Sequence, residues 1–257
     1  MDKWYTSLTE IAPNRVALRG RPLEDLMGEL SFGGAVYLLF TGKEPTQAIA
    51  RLVDAILVSS IDHGVTPPSA LASRNASSTG AALNACIASG VLAINRFHGG
   101  AIEGCMGVLA RIADLASKER LSPGDAADRV VAEEKAAGRR IPGYGHRIHT
   151  DDPRAKRLLA LAAELGLRGV GIEAAEALGQ AIERALGRKL PLNVDGAIAA
   201  CLIDLGIEFE LANAFFIIAR VPGLAAHARE EHATQRPMRK IDPKNAEFSK
   251  DDPTKGS

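Results

Sequence analysis

Apolar residues recur along almost the whole chain at three- and four-residue spacing, and alternating β-branched runs are nearly absent. That periodicity confines the chain to packed helices. Ser31 caps a first helix that stops at Gly42. Pro45 suits the first turn of the next, which puts Ile49, Leu52, Val53, Ile56 and Leu57 on one face and ends near Gly64, leaving His63 close to its C-terminus. Residues 76–94, rich in Ala, Ser and Gly, read as one closely packed buried helix. Another runs through Met106, Leu109 and Leu115. Ser122-Pro123 opens a helix that Gly138 closes, and Asp152-Pro153 caps one through Leu158 and Leu161. Leu178, Ile182 and Leu186 stand four apart before Gly187. Two further helices cover 196–205 and 209–230, the second kinked or broken at Pro222. Only Asn14–Leu18 has strand character, so the expected class is an all-α, multi-helical fold. The polar tail from Asp242 to Ser257, with two Asp-Pro steps, reads as disordered.

Charge narrows the partners. Lys plus Arg equals Asp plus Glu at 31 each, so no overall field draws the chain to nucleic acid or an anionic membrane. No apolar stretch approaches the roughly 20 residues of a membrane span. Met1–Glu10 carries no secretory signal pattern. Cys86, Cys105 and Cys201 are far apart, form no CxxC pair and read as small core residues of a reducing, cytoplasmic compartment. No clustered metal-ligand set is visible, and no metal is expected.

The residues able to do chemistry fall where the helical pattern breaks. In Arg96-Phe97-His98-Gly99-Gly100-Ala101, glycines let backbone approach a ligand, or else simply make a tight turn bearing a surface histidine. Pro142-Gly143-Tyr144-Gly145-His146-Arg147 is too irregular for a helix, and loops of this kind present polar groups to substrates. Arg154 opens a helix against the dipole preference, a conflict that a bound anion or plain solvent exposure resolves. Asp195, in Leu192-Asn193-Val194-Asp195-Gly196, is either a helix N-cap or a reactive carboxylate. Arg220 stands among apolar residues beside Pro222, and a buried arginine needs an anionic partner. Arg236-Pro237-Met238-Arg239 by itself is a basic surface loop.

Taken in order, "HGGA", "PGYGHR" with "DPR" ending eight positions after its His, "NVDG", an apolar helix ending in Arg220, and "RP" resemble the citrate synthase superfamily. The stretch "LRGRPLEDLMGELSFGGAVYLLFTGKEPT" is similar to the start of that fold, and Asp62-His63 precedes His98 at the family's spacing. The resemblance covers roughly residues 12–242. "NRFHGGA" and "LNVDGAIAACLIDLG" look most like the short citryl-CoA lyase branch, including the C-terminal module of ATP-citrate lyase. Against free-standing citrate synthases, a block of helices after "KEPT" is reduced to one, and Ile102 replaces the Asn of "HGGAN".

The resemblance implies carbon–carbon chemistry between a CoA thioester and an oxoacid. Asp195 exchanges the methyl proton, His98 donates to the thioester oxygen, and His146 exchanges a proton with the oxoacid carbonyl. His63, Arg154, Arg220 and Arg236 bind the polycarboxylate, with Arg236 reaching in from a neighbouring subunit of a homodimer. Backbone at Gly143, Tyr144 and Gly145 meets CoA, with Arg147 near phosphate. Acetyl-CoA or CoA is substrate or product, and no cofactor is held permanently. The implied architecture is a larger helical part (1–99 and 201–242) and a smaller CoA-binding part (100–200), with His98 and Asp195 near the hinge and 243–257 a tail. Three readings stay open: a citryl-CoA lyase, a reduced citrate synthase, and a non-catalytic acyl-CoA or dicarboxylate binder.

Overall fold

The computed structural model describes residues 3–145 and 151–245. A small antiparallel sheet opens the chain: β1 (Thr9–Ala12), β2 (Arg15–Leu18) and β3 (Arg21–Pro22). Thr9 pairs with Leu18 and Leu18 with Arg21, so the single strand expected at Asn14–Leu18 is the middle of three. The second turn, Arg19-Gly20, has positive φ at both residues, as a two-residue hairpin loop demands. Arg19 then donates from Nε and Nη2 to the carbonyl of Leu39, one of the last-turn acceptors a helix leaves open.

Eleven helices follow among the described residues: α1 (Leu23–Leu26), α2 (Phe32–Thr41), α3 (Gln47–Ser59), α4 (Pro68–Ser78), α5 (Leu83–Leu92), α6 (Ala101–Glu119), α7 (Pro123–Ala136), α8 (Pro153–Glu164), α9 (Val170–Leu186), α10 (Val194–Asp204) and α11 (Ala212–Thr234). Ser31 and Gly42 bound α2, Ser122 caps α7 and Asp152 caps α8, as their sequence signals predict. Several expectations need correction. Thr46, not Pro45, begins α3, because its hydroxyl accepts from the Ile49 amide; α3 also ends at Ser59, short of Gly64. Residues 76–94 are not one buried helix. Gly80, at φ +86°, breaks the run, and α5 buries only Cys86 and Gly90 while Leu83 and Leu92 stay exposed. Pro222 lies inside α11, which is not broken there. The stretch Phe209–Thr234 has the length and mean hydropathy (1.4) of a membrane-crossing helix, contrary to the sequence estimate. It also carries Arg220 at its middle and buries Phe215, Phe216, Ala219 and Leu224 within the protein.

The chain divides into two compact units, 1–63 with 94–222 and 64–93 with 223–257. The division expected from the resemblance places its boundaries elsewhere, near 100 and 200. In the first unit α10 is the central helix: Val194 and Gly196 through Leu202 are all buried, and α6, α8 and α9 pack around it. A helix apolar on every side has to lie in a core. Its small residues let neighbours come close. A β-carbon on Gly171 of α9 would lie 2.4 Å from the Ala200 carbonyl oxygen. Asp204, closing α10, accepts from the amides of Gly169, Gly171 and Ile172 at 2.9, 2.7 and 3.2 Å, capping α9 from outside. In the second unit Ser73 and Ser77 of α4 donate to the carbonyls of Leu224 and Ala228. There the buried Arg74 meets Glu231 at 2.9 Å, Glu230 at 2.8 Å and His227 Nδ1 at 3.2 Å.

The α9–α10 contact yields a stability prediction. Gly171→Ala should cost about 1–3 kcal/mol, the usual penalty of overpacking against a backbone that cannot retreat. Urea denaturation compared with Gly179→Ala, whose nearest neighbour would be 3.4 Å away, checks it.

Candidate active site

The Arg96–Gly100 turn is built by reciprocal bonds between Asn95 and His98, each amide donating to the other's carbonyl at 2.8 Å, with Gly100 N–H also donating to Asn95. Gly99, at φ +90°, has no room for a side chain: a β-carbon would meet Ile94 at 2.6 Å and the Phe216 ring at 2.9 Å. The glycines therefore press the turn onto Phe216. His98 meets that same ring edge-on at 5.6 Å between centroids, and on this ring Arg220 places its guanidinium carbon, 4.8 Å from the centroid. Phe216 thus packs against both an expected catalytic imidazole and an expected carboxylate binder. It was missed in the sequence, where an aromatic four residues before Arg220 on one helix was its only signal.

Arg220 is 3 % exposed. Its Nε donates to the Ser60 carbonyl at 2.9 Å, while Nη1 is buried with no hydrogen-bond partner among the described residues. Burial, and then the neighbouring Arg154 cation, hold its pKa below the usual arginine range, against the pull of Asp62 and Asp195. Burial, then the charges of Arg220 and His63, also lower the pKa of His98. A neutral imidazole at neutral pH keeps one N–H to donate.

Asp195 is not the helix cap. Asn193 takes that place, its Oδ1 accepting from the Gly196 amide at 3.1 Å, and Asp195 stands in the first turn with part of its surface open. Burial pushes its pKa up to about 6, against the pull of the Arg154 and Arg220 cations and with the help of the Asp152 charge. A carboxyl titrating near working pH can both take and return a proton. Arg154 is about a quarter exposed and forms a two-pronged pair with the buried Asp152, Nε to Oδ1 at 3.0 Å and Nη2 to Oδ2 at 2.9 Å.

His63, His98, Arg154, Asp195 and Arg220 thus form one electrostatic neighbourhood, all within the first unit. His146 and Arg147 lie outside the described residues. Gly143, Tyr144 and Gly145 run beside 191–193: Asn193 donates to the carbonyls of Gly143 and Gly145, Gly145 N–H donates to Pro191, and the Tyr144 hydroxyl bonds the Ala175 carbonyl. Gly143, at φ +83°, abuts Cys105 and Gly196, where a β-carbon would lie 2.5 and 2.9 Å away. A cavity of about 550 Å³ opens beside the His98 turn, lined by Arg96, Gly99, Gly100, Glu103, Phe209 and Asn213. Arg236 is exposed in the second unit, whereas Arg239 is committed to Glu231.

With this geometry in place, the model of the citrate synthase C-terminal domain matches residues 43–241. The chain belongs to the citrate synthase family. This family member is 31% identical over 208 residues to citrate synthase of Haloferax volcanii, covering 79% of this chain and 52% of that one. It spans about two-fifths to three-fifths of the length of the curated citrate synthases it matches. Among solved structures it is similar to citryl-CoA lyase of Hydrogenobacter thermophilus, with TM-score 0.88, 42% identity, 97% of this chain covered and 96% of that one. The fold is also that of ATP citrate lyase from Methanothrix soehngenii, solved with citrate and coenzyme A, at TM-score 0.84 and 24% identity over 99% of this chain and 43% of that one. In this citrate synthase family chain, shortness relative to the curated synthases goes with near-complete overlap with the lyase.

A carboxyl whose folded pKa is raised stabilises the fold only below its unfolded value, and that contribution is lost as pH rises through the folded one. Asp195→Asn should therefore be more stable than the parent at pH 7, by at most about 3 kcal/mol for a shift from 3.8 to about 6. The gain should vanish as pH falls from about 6 towards 4. Denaturation midpoints across that range check it.

Proposed function

We propose that this chain is a citryl-CoA lyase-type enzyme, cleaving citryl-CoA to acetyl-CoA and oxaloacetate. The observation that carries the reading is the buried Arg220, whose Nη1 has no hydrogen-bond partner among the described residues, close enough to act on both a neutral His98 and an Asp195 carboxyl near 6. A buried cationic nitrogen without a partner is costly unless an anion meets it. A citryl group carries carboxylates for Arg220 and Arg154, whose planar guanidinium groups suit paired oxygen contacts.

In the cleavage direction His146 takes the proton of the citryl hydroxyl, a role resting on its place in the motif. The carbon–carbon bond beside it breaks, its electron pair passing to the thioester as an enolate while the hydroxyl carbon becomes the ketone of oxaloacetate. His98 donates a hydrogen bond to the enolate oxygen. Protonated Asp195 gives its proton to the carbon and leaves acetyl-CoA; with a pKa near 6 about one molecule in ten holds that proton at pH 7. The roughly 550 Å³ cavity beside the His98 turn suits the CoA arm, with the Gly143–Gly145 backbone at the nucleotide end. His63 hydrogen-bonds the oxoacid.

A reduced citrate synthase is the second reading, favoured by the 31% identity to the Haloferax enzyme. It uses the same residues in the condensing direction and adds hydrolysis of the thioester. A non-catalytic binder would need the arginines but not the Asp195 and His98 pair. The active unit in this reading is a cytoplasmic homodimer, with Arg236 entering the partner's site and a second copy covering exposed Leu83 and Leu92 of α5.

Incubating the purified protein separately with citryl-CoA and with acetyl-CoA plus oxaloacetate tests this. Rapid release of oxaloacetate from citryl-CoA without net citrate synthesis is expected. Stoichiometric citrate and free CoA from the second mixture would move the assignment to a synthase. Failure of both mixtures, with CoA esters still bound, would leave only the binder. Asp195→Asn should abolish methyl-proton exchange into acetyl-CoA, read by deuterium uptake, while oxaloacetate binding persists.

A further inference from the structure

Asp152 does more than the capping its sequence position announces. Its carboxylate is buried, with a side chain 0 % exposed, and accepts four N–H bonds. Oδ1 takes the Arg154 amide and Arg154 Nε, both at 3.0 Å. Oδ2 takes Arg154 Nη2 at 2.9 Å and the amide of Val194 at 3.1 Å. One carboxylate therefore joins the first turn of α8, which bears an expected substrate cation, to the first residue of α10, immediately before Asp195.

We propose that Asp152 is a positioning residue for the reaction: it locks the Arg154 guanidinium edge-on, leaving the outer edge for a substrate carboxylate, and offsets the Arg154 charge felt by Asp195. This inference rests on the reading of Asp195 as the proton-transfer group. The geometry makes the lock specific. A guanidinium presents five N–H donors in a rigid fork, and Asp152 occupies the Nε edge and one proton of Nη2, so both Nη1 protons remain available. The Val194 bond then ties that fork to the backbone carrying Asp195, so the cation and the acid–base group hold one register.

The charged and titratable groups acting on Asp195 are Arg154 and Asp152 of α8, Arg220 of α11 and the Cys105 thiol of α6. Cys105 is uncharged at neutral pH, because burial, helped by the Asp195 charge, pushes its thiol up to about 12. Two cations therefore pull the Asp195 pKa down, and only Asp152 among these groups opposes them with a charge. Asp152 itself stays ionised. Burial alone would raise its pKa, but the hydrogen bonds and charge of Arg154, with the Val194 amide, outweigh that and lower it. Without the Asp152 charge Arg154 would act on Asp195 unopposed, making it a weaker base.

The test uses the full chain without ligand. The Asp195 carboxyl is titrated by carbon-detected NMR, and exchange of the Arg154 Nε–H proton is followed in parent and Asp152→Asn. The midpoint of Asp195 is expected to fall by about half a pH unit or more, and Nε–H exchange to speed up about tenfold or more, as the lock loosens. Asp152→Ser, which keeps a capping oxygen, supplies the same two readings should the Asn variant fold poorly. An unmoved midpoint or unchanged Nε–H exchange, even with a lowered melting temperature, overturns the proposal and leaves Asp152 a cap. Neither reading needs turnover. A parent protein inert towards every CoA ester, but showing both shifts, would sink the proposed activity and not this arrangement.

Discussion

The first unit depends on one helix that has no solvent face. α10 can sit among α6, α8 and α9 because half of its buried run is Ala and Gly, so neighbouring backbones approach almost to contact at Gly171 and Gly143. Close approach removes the slack by which helices usually adjust, since packed interiors tolerate little change in volume. The first turn of α10, which carries Asp195, is therefore packed with little room to shift. Asn193 caps it and bonds the Gly145 carbonyl, Asp152 receives the Val194 amide, and Asp204 at the far end caps α9.

On that frame the site is an electrostatic arrangement more than a constellation of contacts. Arg220 and Arg154 supply positive charge, Asp152 cancels part of it, and enclosure raises Asp195 while lowering His98. Both shifts favour the neutral form of the group, which suits the proton transfers proposed for them. They also cost folding stability, a common trade at reactive sites. Phe216 serves the cation and the imidazole at once, giving Arg220 a ring face and His98 a ring edge.

Much of this was legible in the residue order. Ser31, Gly42, Ser122 and the Asp152-Pro153 pair mark helix ends because capping is local chemistry, settled within four residues. The three-stranded sheet was read as one strand because β1 is exposed along almost its whole length, so it carries no buried alternation, and β3 is only two residues long. The 76–94 run misled because Ala, Ser and Gly suit close packing in either a long helix or two short ones, and only the positive φ at Gly80 decides. Asp195 could be read as a cap because Asp is a common N-cap just before an apolar helix, but Asn193, two residues earlier, offers the same kind of oxygen and takes that place.

The sequence by itself determined the predominantly helical class and most helix boundaries and marked the candidate residues from His63 to Arg220, since periodicity, caps and motif order are written along the chain. Only the tertiary structure decided their states. That the Phe216 ring meets His98 as well as Arg220, and that the Asp152 carboxylate holding Arg154 also takes the Val194 amide beside Asp195, depend on groups tens of residues apart. Burial and the sign of the nearest charge, which set those states, are properties of three-dimensional surroundings and cannot be read from neighbours in the chain.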